Sequence, residues 1–199
     1  MRRLNLVDGP VSYYEDYIQQ TLDASHSKRA FLKTSKQALR SMKSEFYDII
    51  GLILKHIGFE STHVSRGGDV NNRMDAIIID DENSIPIEIK SPKECKEINL
   101  KSIRQACENK VIILSRKFYQ TTDDTTSLAI AFQYPPKRSD VYELIDDIKN
   151  AYNFNIGIID IDDLLSLVWD ISDDVGKLDF NYFNTFSGKF DYEKAFHKF

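Results

Sequence analysis

Two short runs rich in β-branched residues, Ala76-Ile77-Ile78-Ile79 and Ile85-Pro86-Ile87-Glu88-Ile89, stand on either side of the polar cluster Asp80-Asp81-Glu82-Asn83. Branched runs bounded by Asp and Asn read as a β-hairpin. If its even-numbered connection is centred on Asp81 and Glu82, Asp75 lies directly opposite Glu88, and opposed residues share one sheet face. Lys90 follows Glu88 by two positions, so the period of a strand brings its ammonium to that same face. Two carboxylates and a lysine on a strand this apolar constrain the whole chain: the remaining elements have to enclose the hairpin without filling the polar end of it.

The flanking sequence supplies such elements. A short helix is expected over residues 11–22, with Tyr13, Tyr14, Tyr17 and Ile18 on its apolar side. Residues 44–57 read as a helix with Phe46, Ile49, Ile50, Ile53 and Ile57 in one stripe, ended by Gly58. Residues 59–65 suit a strand leading through a loop over 66–72 into the Asp75 strand. After Ser91-Pro92, residues 99–109 suit a helix, the run Val111-Ile112-Ile113-Leu114 within 110–115 a buried strand, and residues 128–134 another strand stopped by Pro135-Pro136. A helix over 139–152, a strand over 155–161 and a helix capped by Asp162 or Asp163 complete the pattern. Alternation of this kind predicts an α/β domain, a mixed sheet with helices on both faces. With 199 residues, 42% of them hydrophobic, the chain suffices for one sizeable core.

The opposed carboxylates have a chemical use. Two hard oxygen anions a few ångströms apart suit Mg²⁺, which prefers carboxylate, water and phosphate oxygens. Such an ion lowers the pKa of a bound water, and a neighbouring ammonium orients that water or offsets charge on a phosphoryl group in transition. The reaction this favours is phosphodiester hydrolysis. The acidic-x-Lys pattern alone is cheap: Glu94-Lys96, Glu108-Lys110 and Asp147-Lys149 share it with Glu88-Lys90. Only the last of these pairs lies on an Ile-rich strand preceded by a strand that begins with Asp, so the context carries the inference.

Met74-Asp75 followed by Glu88-Ile89-Lys90 resembles the signature of the PD-(D/E)XK nuclease superfamily, with Met74 in place of the usual proline. The likeness is nearest to the cleavage domains of type IIS restriction enzymes of the Fok type, in which a Gly-Gly loop like Gly67-Gly68 precedes the Asp strand. The resemblance implies a restriction-endonuclease-like core over about residues 44–165. It further implies Asp75 and Glu88 as metal ligands, the Ile89 carbonyl as a third, Lys90 as the catalytic lysine, and Mg²⁺ as cofactor with Mn²⁺ able to substitute. It also nominates Glu45, on the helix before the catalytic strands, and Gln105, on the helix after the lysine, as additional site residues. A junction resolvase or DNA-repair nuclease of the same fold is the alternative activity, and an inert DNA-binding or regulatory subunit the alternative outside catalysis. Buried charges kept without a metal are costly, which argues against the inert reading.

Charge bears on the partners. The net charge of -5 is unexpected for a chain that binds nucleic acid unaided. It is uneven: residues 1–117 carry 19 basic against 16 acidic residues, and residues 118–199 carry 7 against 15. A DNA-facing side is therefore expected from the first half. Lys28, Arg29, Lys33, Lys36, Arg40 and Lys43 recur at helical spacing with no acidic residue between them, either as a solvated face or as a phosphate-contacting one. Arg66 and Arg73 are further candidates for phosphate. DNA is the expected partner, with a homodimer or a separate recognition subunit completing the assembly. Expected segments are 1–43, helical with the basic stretch; 44–170, the nuclease core; and 171–199, an aromatic extension packed on the core or at an interface. The first residues lack the apolar run of a signal peptide, and no segment approaches the roughly 18 apolar residues that span a bilayer. The expected location is cytoplasmic. Cys95 and Cys107 show no paired metal spacing and read as reduced thiols. The four histidines are scattered, and Asp160, Asp162 and Asp163 read as strand-end and helix-cap residues.

Overall fold

The computed structural model describes residues 18–65, 74–116 and 118–199. Helices α1 (Lys28–Leu39) and α2 (Ser44–His56) precede a hairpin-rich segment of β1 (Thr62–Val64), β2 (Ala76–Ile78) and β3 (Ile85–Lys90). Then come α3 (Leu100–Ser115), β4 (Ser127–Ala131), α4 (Asp140–Tyr152), β5 (Ile156–Asp160) and α5 (Ile161–Ser172). The chain ends with β6 (Gly176–Leu178), α6 (Phe180–Thr185), β7 (Gly188–Lys189), α7 (Tyr192–Ala195) and β8 (Phe196–Lys198). Six strands form one mixed sheet in the order β1-β2-β3-β4-β5-β7, antiparallel from β1 to β3 and parallel from β3 onward. β6 and β8 pair separately. The protein is thus an α/β domain with a mixed sheet flanked by helices.

The β2–β3 turn is set by one side chain. Asp80 Oδ1 accepts from the amides of Glu82 and Asn83 at 2.9 and 2.8 Å, the local bonding that makes Asp a turn former. The resulting register pairs Ala76 with Ile87 and Ile78 with Ile85, so the next step places Asp75 opposite Glu88 as the sequence predicts. Pro86 is tolerated inside β3 because the pairing of β3 with β4 begins only at Ile87.

Strand alternation divides the sheet into two unlike faces. Ile85, Ile87 and Ile89 of β3 and Leu128 and Ile130 of β4 point into a large core with Phe31, Phe46, Ile50, Leu164 and Val168 from α1, α2 and α5. Phe183, Phe186, Phe190 and Phe196 join this same core, while Phe180 and Phe199 of the same aromatic run are exposed. Gly157 makes that docking possible, since a Cβ there would stand 2.5 Å from the Phe186 ring. Helix α1 is tied to α5 by a Lys28–Asp170 ion pair at 2.6 Å and by Lys36–Asp162. The opposite face carries Ala129 and Ala131 of β4 and Ile156 and Ile158 of β5, covered by α3 and α4.

Three expectations require correction. Residues 110–115 are not a strand: α3 continues to Ser115, capped at its start by Asn99, whose side chain accepts from the Ser102 amide while Ser102 answers the Asn99 amide. The four apolar residues obey a helical period, with Ile113 buried and Val111 52% exposed, and a buried helix turn cannot be told from a buried strand by an apolar run. Helix α5 is capped by Asp160, which accepts from the amides of Asp162 and Asp163, rather than by either of those residues. Ile79 lies beyond β2 and is exposed, because the Asp80 turn has already begun. The tyrosines of the expected N-terminal helix, and the Gly67-Gly68 loop, lie outside the described residues. Among the described residues no helix is long and apolar enough to cross a membrane.

Candidate active site on strands β2 and β3

Asp75 sits just ahead of β2, where the antiparallel ladder stops. Its Oδ2 accepts the Ile89 amide at 2.8 Å, so the carboxylate substitutes for the missing strand partner. A strand residue's N–H and C=O point to the same neighbour, which turns the Ile89 carbonyl toward Asp75 as well. Glu88, only 2% exposed, lies opposite Asp75 in the continued register, and the Asp75 charge acts on its carboxyl. Lys90 Nζ donates to Glu88 Oε1 at 2.5 Å. The constellation expected from register, Asp75, Glu88 and Lys90, is therefore assembled at one end of β3, with Ile89, which the resemblance adds, between the last two.

Burial decides the electrostatics. It pushes the Asp75 carboxyl above its ordinary range, against the Ile89 amide and Lys90, which favour the anion. Glu88 rises to about 7, through burial and then through the nearby Asp75, with Lys90 and an Asn109 hydrogen bond opposing. Lys90 is desolvated too, yet its bond to Glu88 and the surrounding carboxylates hold its pKa above the usual lysine value. A cation shared by Asp75 and Glu88 would favour both anions against the burial that raises them, and would offset the Asp75 charge that raises Glu88 further.

Three residues that sequence reasoning passed over complete the surroundings. Glu94, in the loop after β3, accepts on Oε2 from Tyr47 Oη at 2.7 Å and from the Ser91 amide and hydroxyl at 3.1 and 2.8 Å. Although burial pulls the other way, these bonds hold Glu94 below the usual carboxylate range, and its charge is felt by both Asp75 and Lys90. Tyr47 is raised by burial first, then by its bond to Glu94 and by the charges of Asp75, Glu94 and Glu88. Asn109, on α3 and 3% exposed, donates from Nδ2 to Glu88 Oε2 at 3.2 Å. Its signal in the sequence was faint: it lies four residues after Gln105, on the same helical stripe.

The other expected residues fare unequally. Gln105 lies on α3, half-buried, with Oε1 shielded and hydrogen-bonded to no described residue. Because α3 runs antiparallel to β3 in the crossover to β4, Gln105 stands a turn nearer the Lys90 end than Asn109. Glu45 accepts from the Lys43 amide at 3.4 Å at the start of its own helix, while Tyr47, about 200° further round that helix, is the residue that reaches the site. Lys36 is engaged by Asp162 and lies over the Phe132 ring, on the apolar face's side. Lys33 is exposed on α1, and Arg40, also exposed, is the C-cap that follows it before α2. Arg66 and Arg73 lie outside the described residues.

Among the described residues no group of three or more His, Cys, Asp or Glu is arranged to cage a metal ion. A pair of carboxylates and a carbonyl is nonetheless the donor set Mg²⁺ accepts, because that ion keeps several waters and takes one or two carboxylates together with substrate phosphate. No protein-family model, no curated protein and no solved structure matches the chain.

Proposed function

We propose that the protein is a Mg²⁺-dependent endodeoxyribonuclease, a restriction endonuclease or its cleavage subunit. The observation that carries the reading is the meeting of Asp75 and Glu88 across the β2–β3 register with Lys90 bonded to Glu88. Asp75, Glu88 and the Ile89 carbonyl would hold Mg²⁺, and the ion when bound supplies Lewis acidity toward a water and a phosphodiester oxygen. Lys90 orients the attacking water or donates to the phosphate oxygen on which charge develops. Gln105 Oε1, an acceptor with no described partner, is suited to accept a hydrogen bond from that water and so to orient it. The Glu94–Tyr47 pair braces the loop that follows the lysine.

Incubation with supercoiled plasmid tests the reading. Cleavage is expected with Mg²⁺ or Mn²⁺, and none in chelator or with Ca²⁺, which accepts looser geometry and lowers the pKa of bound water less. Full activity in chelator would contradict it.

One such centre cuts one strand, and a chain at net charge -5 has little cationic surface for solitary binding. A second copy related by a two-fold axis, or a separate recognition subunit, is the partner this reading needs. Nicked circles from a monomer and linear product only on association would support it. Specific double-strand breaks by a species that sediments as a monomer with and without DNA would remove the need for a partner.

A further inference from the structure

Glu88 is gripped at both oxygens by donors of different kinds. Lys90, on Oε1, is a charged group on a flexible stem with its side chain 12% exposed at the end of β3. Asn109, on Oε2, is neutral, short and 3% exposed. The helix around it is immobilised: the next residue, Lys110, donates to the carbonyls of Thr122 and Thr125 at 2.5 Å, and Ser127 Oγ donates to Ala106 O at 2.7 Å. On β4 the residue paired with Glu88 is Ala129, a side chain small enough for α3 to approach and for an asparagine to span the gap.

A divalent cation that uses Glu88 has to take one of these oxygens. Sharing Oε1 with an ammonium is unfavourable, because the two positive charges repel at contact distance. A neutral amide on Oε2 meets no such conflict, and it fixes the plane of the carboxylate. Resting on the metal reading of Asp75 and Glu88, we propose that Asn109 is a positioning residue that anchors Glu88 through Oε2 and presents Oε1 to the cation, and that cation uptake transfers Lys90 from Glu88 to the reacting phosphate. The Lys90–Glu88 ion pair and the loaded site are then alternatives, and the lysine is delivered to the substrate only when the cation is in place.

Ca²⁺ titration by calorimetry, with thermal unfolding at the same Ca²⁺ concentrations, separates the possibilities without relying on cleavage. Removing a partner that orients a ligand typically weakens metal binding by about 10- to 100-fold, and that loss is expected for Asn109→Ala and for Asn109→Leu, which keeps the volume but not the donor. Lys90→Met is expected to bind Ca²⁺ at least as tightly as the parent, since a competing cation has been removed. Ca²⁺ affinity within about twofold of the parent in a folded Asn109 variant would overturn the anchoring role. A loss of about tenfold in Lys90→Met would overturn the exchange, whether or not the Asn109 variants fold. Asp75→Ala is the control: if the parent binds no Ca²⁺, or binds it equally without Asp75, the metal reading fails and the Asn109 assignment falls with it.

Discussion

The two faces of the sheet follow opposite rules. The face toward α1, α2, α5 and the C-terminal aromatics is predominantly apolar, and Phe31, Phe46, Phe183 and Ile50 on it are wholly buried. The face toward α3 holds Glu88, Lys90, Asn109, Lys110 and Ser127 among alanines, each polar group tied to a named partner. Burial of apolar surface stabilises the fold on the first face, while on the second the same burial raises carboxyl pKa values and keeps charges poorly solvated. The contrast implies that substitutions on the two faces should separate stability from chemistry.

The largest effect is expected at the polar face. Asp75→Ala and Glu88→Ala should each lower plasmid cleavage by about 10³-fold, with circular dichroism unchanged, because they remove site groups rather than core packing. Mg²⁺ should raise the Tm of the parent and leave that of Asp75→Ala unmoved. An Asp75→Ala protein stabilised by Mg²⁺ as much as the parent would place the ion elsewhere.

The apolar face should give the reverse. Phe183, fully buried against Phe59, Phe186 and Phe190, should cost about 3–5 kcal/mol of unfolding free energy when changed to Ala. Cleavage per folded molecule should stay near parental. Denaturant titration alongside a cleavage assay at low temperature checks both halves, and a cleavage loss without a stability loss would break the division between faces.

Glu88 links the two through pH. Its folded pKa of about 7 lies above the ordinary glutamate value, so without a divalent cation its contribution favours the fold at low pH. That contribution is lost as pH rises from about 4.5 through about 7, as the unfolded chain releases the proton first. Ca²⁺ affinity should rise over the same interval, because the cation needs the anion. Glu88→Gln should flatten both profiles; a parental slope in that variant would assign the titration to another group. The smallest effect is expected at a cap remote from the site: Ser139, whose side chain accepts the Val141 amide at the start of α4, should cost about 1 kcal/mol as Ala, with cleavage unaltered.

Much of this arrangement was legible in the sequence because it depends on strand period and turn chemistry. Asp80 fixes the turn, the turn fixes the register, and the register alone brings Asp75 to Glu88. The continuation of α3 through residues 110–115 was not legible, since Val111-Ile112-Ile113-Leu114 satisfies a buried strand as well as a helix, and no Gly or Pro separates it from what precedes. Tyr47, Glu94 and Asn109 escaped for another reason. Each acts across a tertiary contact, Tyr47 to Glu94 being 47 residues apart, and a lone tyrosine or asparagine in a helix carries no local pattern. The basic residues of α1 illustrate the converse: their spacing was plain, but the acidic partners Asp162 and Asp170 that engage Lys36 and Lys28 come from a distant helix.

The central claim is that Lys90, Asp75 and Glu88 form one hydrolytic centre, and Lys90→Ala tests it most directly. Purified parent and Lys90→Ala proteins, matched by circular dichroism and given supercoiled plasmid with Mg²⁺, should differ in cleavage rate by about 10³-fold. A Lys90→Ala protein that cuts at near the parental rate would contradict the account.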